Sequence, residues 1–200
     1  MKRWKIGGGL LALVLLCASP ILANPITFTF GELPFQPVNG LSFQGVTFTF
    51  QIGGLPSLDA NYNSAGPGII TFVQDPSLEG DAAGILTLDF AQAASSLQFG
   101  VALSTGLALA PGFTVELFDQ TLASLGVTPV NTNPLITFTE AQFSYTGVPV
   151  SRAVIDFNQA AASRFALDNL IYTPIPEPGT MLLLGTGLLG LGSTLRKRFS

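Results

Sequence analysis

Val46-Thr47-Phe48-Thr49-Phe50-Gln51-Ile52 is the stretch whose reading decides the fold class. Apolar side chains at 46, 48, 50 and 52 alternate with polar ones at 47, 49 and 51. A side-chain period of two with one polar face is the mark of a half-buried strand. Ile26-Thr27-Phe28-Thr29-Phe30 carries the same alternation, with Ile26, Phe28 and Phe30 on one face. Working outward, residues 68–73, 85–90, 97–103, 113–118, 122–127, 135–139, 152–157 and 164–172 read as further strands, broken by Gly, Pro, Asn and Asp. About ten short strands with no convincing helix between them predict an antiparallel all-β sandwich or barrel. Fifteen of the sixteen Phe residues lie between 24 and 173, enough aromatic surface for one core. Ala91-Gln92-Ala93-Ala94 and Gln159-Ala160-Ala161-Ala162 are expected in loops between strands.

The ends of the 200-residue chain differ from its middle. Lys2, Arg3 and Lys5 precede an apolar run from Ile6 to Cys17, and Ile21-Leu22-Ala23 closes the segment. That order is a secretory signal peptide over residues 1–23, cut ahead of Asn24. Cys17 follows Leu16, a poor fit to a lipoprotein box, and reads as an apolar residue of the leader.

Residues 24–173, the expected exported domain, hold eleven acidic and two basic side chains, a net charge of −9. Nucleic acid is excluded as a partner, because phosphate neutralisation needs clustered Lys and Arg. The same residues contain no Cys, His, Lys or Trp. Disulfides, thiol nucleophiles, Schiff bases, Ser-His-Asp triads and zinc held by His or thiolate are therefore all out of reach. No cofactor is expected.

The tail, residues 174–200, is the most legible part. Pro174-Ile175-Pro176-Glu177-Pro178-Gly179 is stiff and extended, since each proline fixes its own backbone and bars helix from its predecessor. Residues 181–195 are uncharged and mostly apolar, and read as one C-terminal transmembrane helix. Fifteen helical residues span about 22 Å, short of a hydrocarbon core of about 30 Å, which makes a transient anchor more plausible than a permanent one. Arg196-Lys197-Arg198 follows, and the positive-inside rule puts it in the cytoplasm with Lys2, Arg3 and Lys5. The domain between then lies outside the inner membrane.

Pro176-Glu177-Pro178, the apolar run opening at Gly179-Thr180-Met181, and the basic Arg196-Lys197-Arg198 together resemble the PEP-CTERM sorting signal. The resemblance implies recognition of Pro176, Glu177 and Pro178 by an exosortase, a membrane protease with a cysteine nucleophile. It implies a bacterial exported protein that accompanies exopolysaccharide at the cell surface or in the extracellular matrix. Phe165-Ala166-Leu167-Asp168-Asn169-Leu170-Ile171-Tyr172 looks like the closing strand of the domains that precede such signals, which implies a jelly-roll-like sandwich. The alternative is an ordinary tail-anchored protein with a proline linker.

Other motifs weigh less. Gly185-Thr186-Gly187-Leu188-Leu189-Gly190 matches a dinucleotide fingerprint, but prolines precede it and no βαβ unit follows. Asp75, Ser77, Glu79, Gly80 and Asp81 suggest a calcium loop, yet Leu86 stands where an EF-hand needs its bidentate acid. A solvated polar turn is the commoner reading there; a looser calcium site stays open. Asp168-Asn169 is expected to make local Asx hydrogen bonds. No pair of acids is singled out for glycoside hydrolysis, so no catalytic residue is named and a non-enzymatic structural or adhesive protein is expected. A carbohydrate-binding module is the first alternative and would need aromatics exposed on one sheet face; a paired-carboxylate glycoside hydrolase is the second and would need two carboxylates facing each other across a cleft.

Overall fold

A computed structural model describes residues 23–176, within which Asn24–Ile175 form one compact unit. Twelve antiparallel strands build it: β1 (Ile26–Phe28), β2 (Gln36–Pro37), β3 (Ser42–Phe43), β4 (Val46–Ile52), β5 (Leu55–Pro56) and β6 (Asn61–Ser64). These are followed by β7 (Ser77–Asp81), β8 (Gly84–Leu103), β9 (Leu109–Phe118), β10 (Ser124–Pro134), β11 (Thr139–Phe157) and β12 (Arg164–Pro174). No helix occurs among the described residues.

β8 and β11, of 20 and 19 residues, organise the rest. Straight, each would run about 65 Å at 3.3 Å per residue, several times the radius of gyration of about 15 Å expected for 150 residues. They stay paired but change register between Thr146 and Val150 and again between Val150 and Arg152. Bulges of this kind bend strands and add twist. On one side of the bulges, β10, β9, β11, β8 and β4 lie in order; on the other, β11, β8, β12, β7, β6 and β2.

Aromatic pairs join the two halves into a β-sandwich. Phe48 of β4 meets Phe28 of β1 edge-on at 5.9 Å, and Phe50 of β4 meets Phe165 of β12 at 5.9 Å. Phe157 and Phe165 stack at 3.9 Å, and Phe99 faces Phe113 at 6.4 Å. All of these rings are buried. The edge-on and tilted pairs suit the ring quadrupoles and add about 0.5–1.5 kcal/mol per pair beyond area burial.

β4 has the predicted limits and the predicted buried face of Val46, Phe48 and Phe50. Several other expectations need correction. The first strand stops at Phe28, because Phe30 takes a left-handed backbone (φ 55°) where Glu32 accepts the Thr29 amide. Residues 85–90 and 97–103 belong to a single strand, and Ala91–Ala94 lie inside it rather than in a loop. Pairing overrides alanine's helix propensity there: Ala91 N–H bonds Gly45, and Ala94 stands opposite both Val150 and Pro174. Residues 135–138 form a turn closed by the Leu135 amide on the Phe138 carbonyl, not a strand. Leu122 takes a left-handed turn position (φ 59°), so its strand begins two residues later.

Candidate functional site

One sheet face carries a feature unlike the rest of the unit. Glu79, Ala166, Ala102 and Glu140 lie in register across β7, β12, β8 and β11. Their neighbours Leu78, Leu167, Val101 and Leu103 point the other way, into the main core. Residues 65–76 cross this outer face as a strap, packing Val73 and Ile70 on Ala102 and Ala166. Small side chains form the trough it lies in; a Cβ on Gly100 would be driven into the Phe72 carbonyl oxygen. Residues 68–73, expected as a strand, are this strap instead, with Val73 buried and Ile69 85% exposed.

Three of the strap's amides are satisfied by carboxylates of the sheet beneath rather than by a neighbouring strand. Glu140 on β11 accepts the Thr71 amide at 3.1 Å through one oxygen and the Phe72 amide at 2.8 Å through the other. Asp168 on β12 accepts the Gln74 amide at 2.9 Å, and Asn169 donates to the Phe72 carbonyl at 3.2 Å. Asn169 reaches it from a left-handed backbone (φ 53°) at the register shift in β12. Part-buried backbone groups of this kind gain from partners, and ionised acceptors bind them about twice as strongly as neutral ones.

Burial pushes the Asp168 carboxyl up to about 6; the hydrogen bonds from Asn169 and Gln74 oppose this, and Glu32 and Asp75 add to it. Its Oδ1 is buried without a protein partner. Burial likewise raises Glu79, with Arg164 opposing and Asp75 reinforcing. Glu32 goes the other way: burial would raise it, but bonds from Thr29 and Tyr62 outweigh that and hold it below the ordinary carboxylate range. The buried Tyr62 hydroxyl donates to Glu32 at 2.5 Å, and burial with that bond keeps the phenol protonated far above its usual range.

Two local readings of the sequence are overturned here. Asp75 through Asp81 is not a solvated turn: Ser77–Asp81 is a strand, and Ser77, Leu78 and Gly80 are buried in it. Asp168 and Asn169 bond chiefly across the chain, to residues 94 and 97 positions away, although Asn169 also donates to Asp168 at 3.1 Å. Glu140 was not singled out, and Thr139-Glu140-Ala141 offers no pattern that would have done so.

Where the unit ends, the tail begins at once. Pro174 stands opposite Ala94, the Ile175 amide bonds the Ala93 carbonyl at 2.8 Å, and Pro176 is the last described residue. Glu177, Pro178, the expected helix at 181–195 and Arg196, Lys197 and Arg198 lie outside the described residues, as does the expected leader up to residue 22. Among the described residues no helix is long and apolar enough to cross a membrane.

Residues 174–198 match the PEP-CTERM protein-sorting motif. The motif marks the chain for export, for processing by an exosortase, itself a membrane protein, and for the surface. No curated protein matches the chain. Among solved structures, a family 29 carbohydrate-binding module is similar at 11% identity and a TM-score of 0.41, over 76% of this chain and 88% of that one. The K2 cleaved adhesin domain of Lys-gingipain is similar at 9% identity and a TM-score of 0.42, over 75% and 99%. The enzymatically active domain of a bacteriophage tailspike protein follows at 16% and 0.37, over 69% and 22%. These scores carry no functional weight for this chain.

Proposed function

We infer that the protein is a non-enzymatic component of the cell surface or extracellular matrix, delivered there by exosortase processing of its tail. The observation that carries this is the sorting motif at 174–198, which starts at the last paired residue of β12. In this reading Pro176, Glu177 and Pro178 are a substrate's recognition residues. The helix at 181–195 holds the chain in the inner membrane until processing, and Arg196, Lys197 and Arg198 stay cytoplasmic. The domain then acts as a structural or adhesive element beside exopolysaccharide, on a jelly-roll-like sandwich.

The non-enzymatic part rests on chemistry. The residues between 24 and 173 lack His, Cys and Lys. Glu140 and Asp168 are spent on the strap's amides, which leaves them poorly placed to act on a substrate. Sugar recognition by ring stacking is the second reading, and the burial pattern speaks against it. Tyr62 and Tyr172 are in the core, Tyr145 is partly buried, and Phe35 is the one exposed aromatic residue among those described. Binding to a purified matrix polysaccharide would nevertheless favour that module.

The test is the mass of the C-terminal peptide recovered from membrane, surface and medium fractions of the native host. A surface form that ends near Pro176-Glu177-Pro178 is expected. Retention of Arg196-Lys197-Arg198 in every fraction would overturn the reading in favour of a tail-anchored domain.

A further inference from the structure

A second convergence of oxygens lies where the strap begins. Gly66 passes so close to β7 that a Cβ there would lie under 3.0 Å from three of them: Ser77 Oγ, Glu79 Oε1 at 2.8 Å and Asp75 Oδ1 at 2.9 Å. Asp75 Oδ1 also accepts the Gly68 amide at 3.2 Å. Ser77 is fully buried, and its hydroxyl finds no partner in the protein. A buried hydroxyl left unpaired costs about 1–3 kcal/mol, and two carboxylates crowded together disfavour each other's charge. The base that influences Glu79 is Arg164, and its guanidinium is engaged by Asp59 at 3.0 Å. The protein therefore brings two anionic oxygens and one orphaned neutral oxygen to a single small volume with no dedicated counter-charge.

We propose that Asp75, Ser77 and Glu79 form a binding site for a hard divalent cation of the calcium class, which clamps the neck of the strap. Calcium accepts six to eight oxygens in flexible geometry and takes carboxylate, hydroxyl and water together, whereas magnesium demands a near-ideal octahedron and sheds water reluctantly. Among the described residues no group of three or more His, Cys, Asp or Glu could hold a metal ion, so this site has two acids, a hydroxyl and water. Low ligand charge puts its affinity in the weak range of extracellular modules, about 10⁻⁴–10⁻³ M. The ion ties Asp75 at the end of the strap, whose carboxylate also holds the Gly68 amide near its start, to Ser77 and Glu79 of β7. Glycine is required at 66 because any side chain would occupy the space the ligating oxygens share.

The test uses the full chain in detergent, titrated calorimetrically with calcium chloride or magnesium chloride, with thermal unfolding followed in parallel. One calcium per chain is expected, with a rise in Tm, and magnesium binding about tenfold weaker or less. Glu79→Gln keeps the side chain's shape and is expected to weaken calcium about tenfold or more; Asp75→Asn, at an exposed position, does the same if Glu79→Gln fails to fold. Glu116→Gln, whose carboxylate accepts the Ser124 hydroxyl at 2.6 Å on a different pair of strands, leaves binding unchanged. No heat and no Tm shift in the wild-type chain at about 10 mM calcium would overturn the proposal. So would calcium binding that survives both acid variants undiminished, which would mark general attraction to an acidic domain.

Discussion

Asp168 holds the amide of Gln74, a residue 94 positions earlier in the chain, at 2.9 Å across the outer face of the sheet. The bond closes one end of the strap, while the other oxygen of the same carboxylate is buried without a partner.

That arrangement makes Asp168 a source of pH dependence with a definite sign. Burial raises its folded pKa to about 6 from an ordinary value of 3.8. A raised carboxyl contributes stability below the unfolded value and loses it as pH rises through the folded one. The wild-type chain should therefore lose on the order of 2 kcal/mol between about pH 4 and pH 7 relative to Asp168→Asn, which keeps an acceptor for Gln74 but cannot titrate. Paired thermal melts across that range check this. Parallel pH profiles for the two proteins would show that Asp168 titrates normally.

Glu140 is the stronger hold, because both its oxygens receive amides. Glu140→Ala strands the Thr71 and Phe72 amides and should cost about 3 kcal/mol, with Glu140→Gln costing less. Hydrogen exchange locates the effect: amides 71 and 72 should lose protection before those of β8 and β11 do.

Gly100→Ala attacks the same strap from below. The added methyl meets the Phe72 carbonyl, a backbone atom that cannot rotate aside. A cost of about 1–3 kcal/mol is expected, together with protease cleavage inside residues 65–76. A variant as stable and as resistant as the wild type would mean that the strap is loosely seated.

Arg152 and Asp89 provide a contrast. Their 2.6 Å ion pair sits at the bulge of the long strands, with both side chains about a third exposed. Solvent screening leaves such a pair worth about 0–1 kcal/mol. Arg152→Gln should thus change denaturant stability little, whereas Phe165→Ala, which removes the ring stacked on Phe157, should cost about 3–5 kcal/mol.

Ile175 alone separates the last strand residue from Pro176. One extended residue reaches only about 3.5 Å, so a protease acting at the motif must work against the folded unit. Six Gly and Ser residues inserted after Ile175 should speed processing, read as the ratio of processed to full-length chain over time. Slower processing would mean that the fold itself aids recognition.

Residues 46–52 were legible because strand alternation is written in consecutive residues and the buried face needs only to be apolar. β8 was legible only in pieces, since nothing local to Ala91–Ala94 announces that both edges of that backbone will be paired. The strap was misread for a related reason. Gly68-Ile69-Ile70-Thr71-Phe72-Val73 has the composition of a strand, but its amides find carboxylates before they find a strand edge.

The sequence by itself determined the all-β class and the sorting tail, because each depends on side-chain order within a few neighbouring residues. The tertiary structure alone decided that Glu140 and Asp168 grip one strap and that Asp75, Ser77 and Glu79 converge on Gly66. An acid's partner 68 or 94 residues away is set by how β8 and β11 bend and which strands they bring together, and no local pattern encodes that distance.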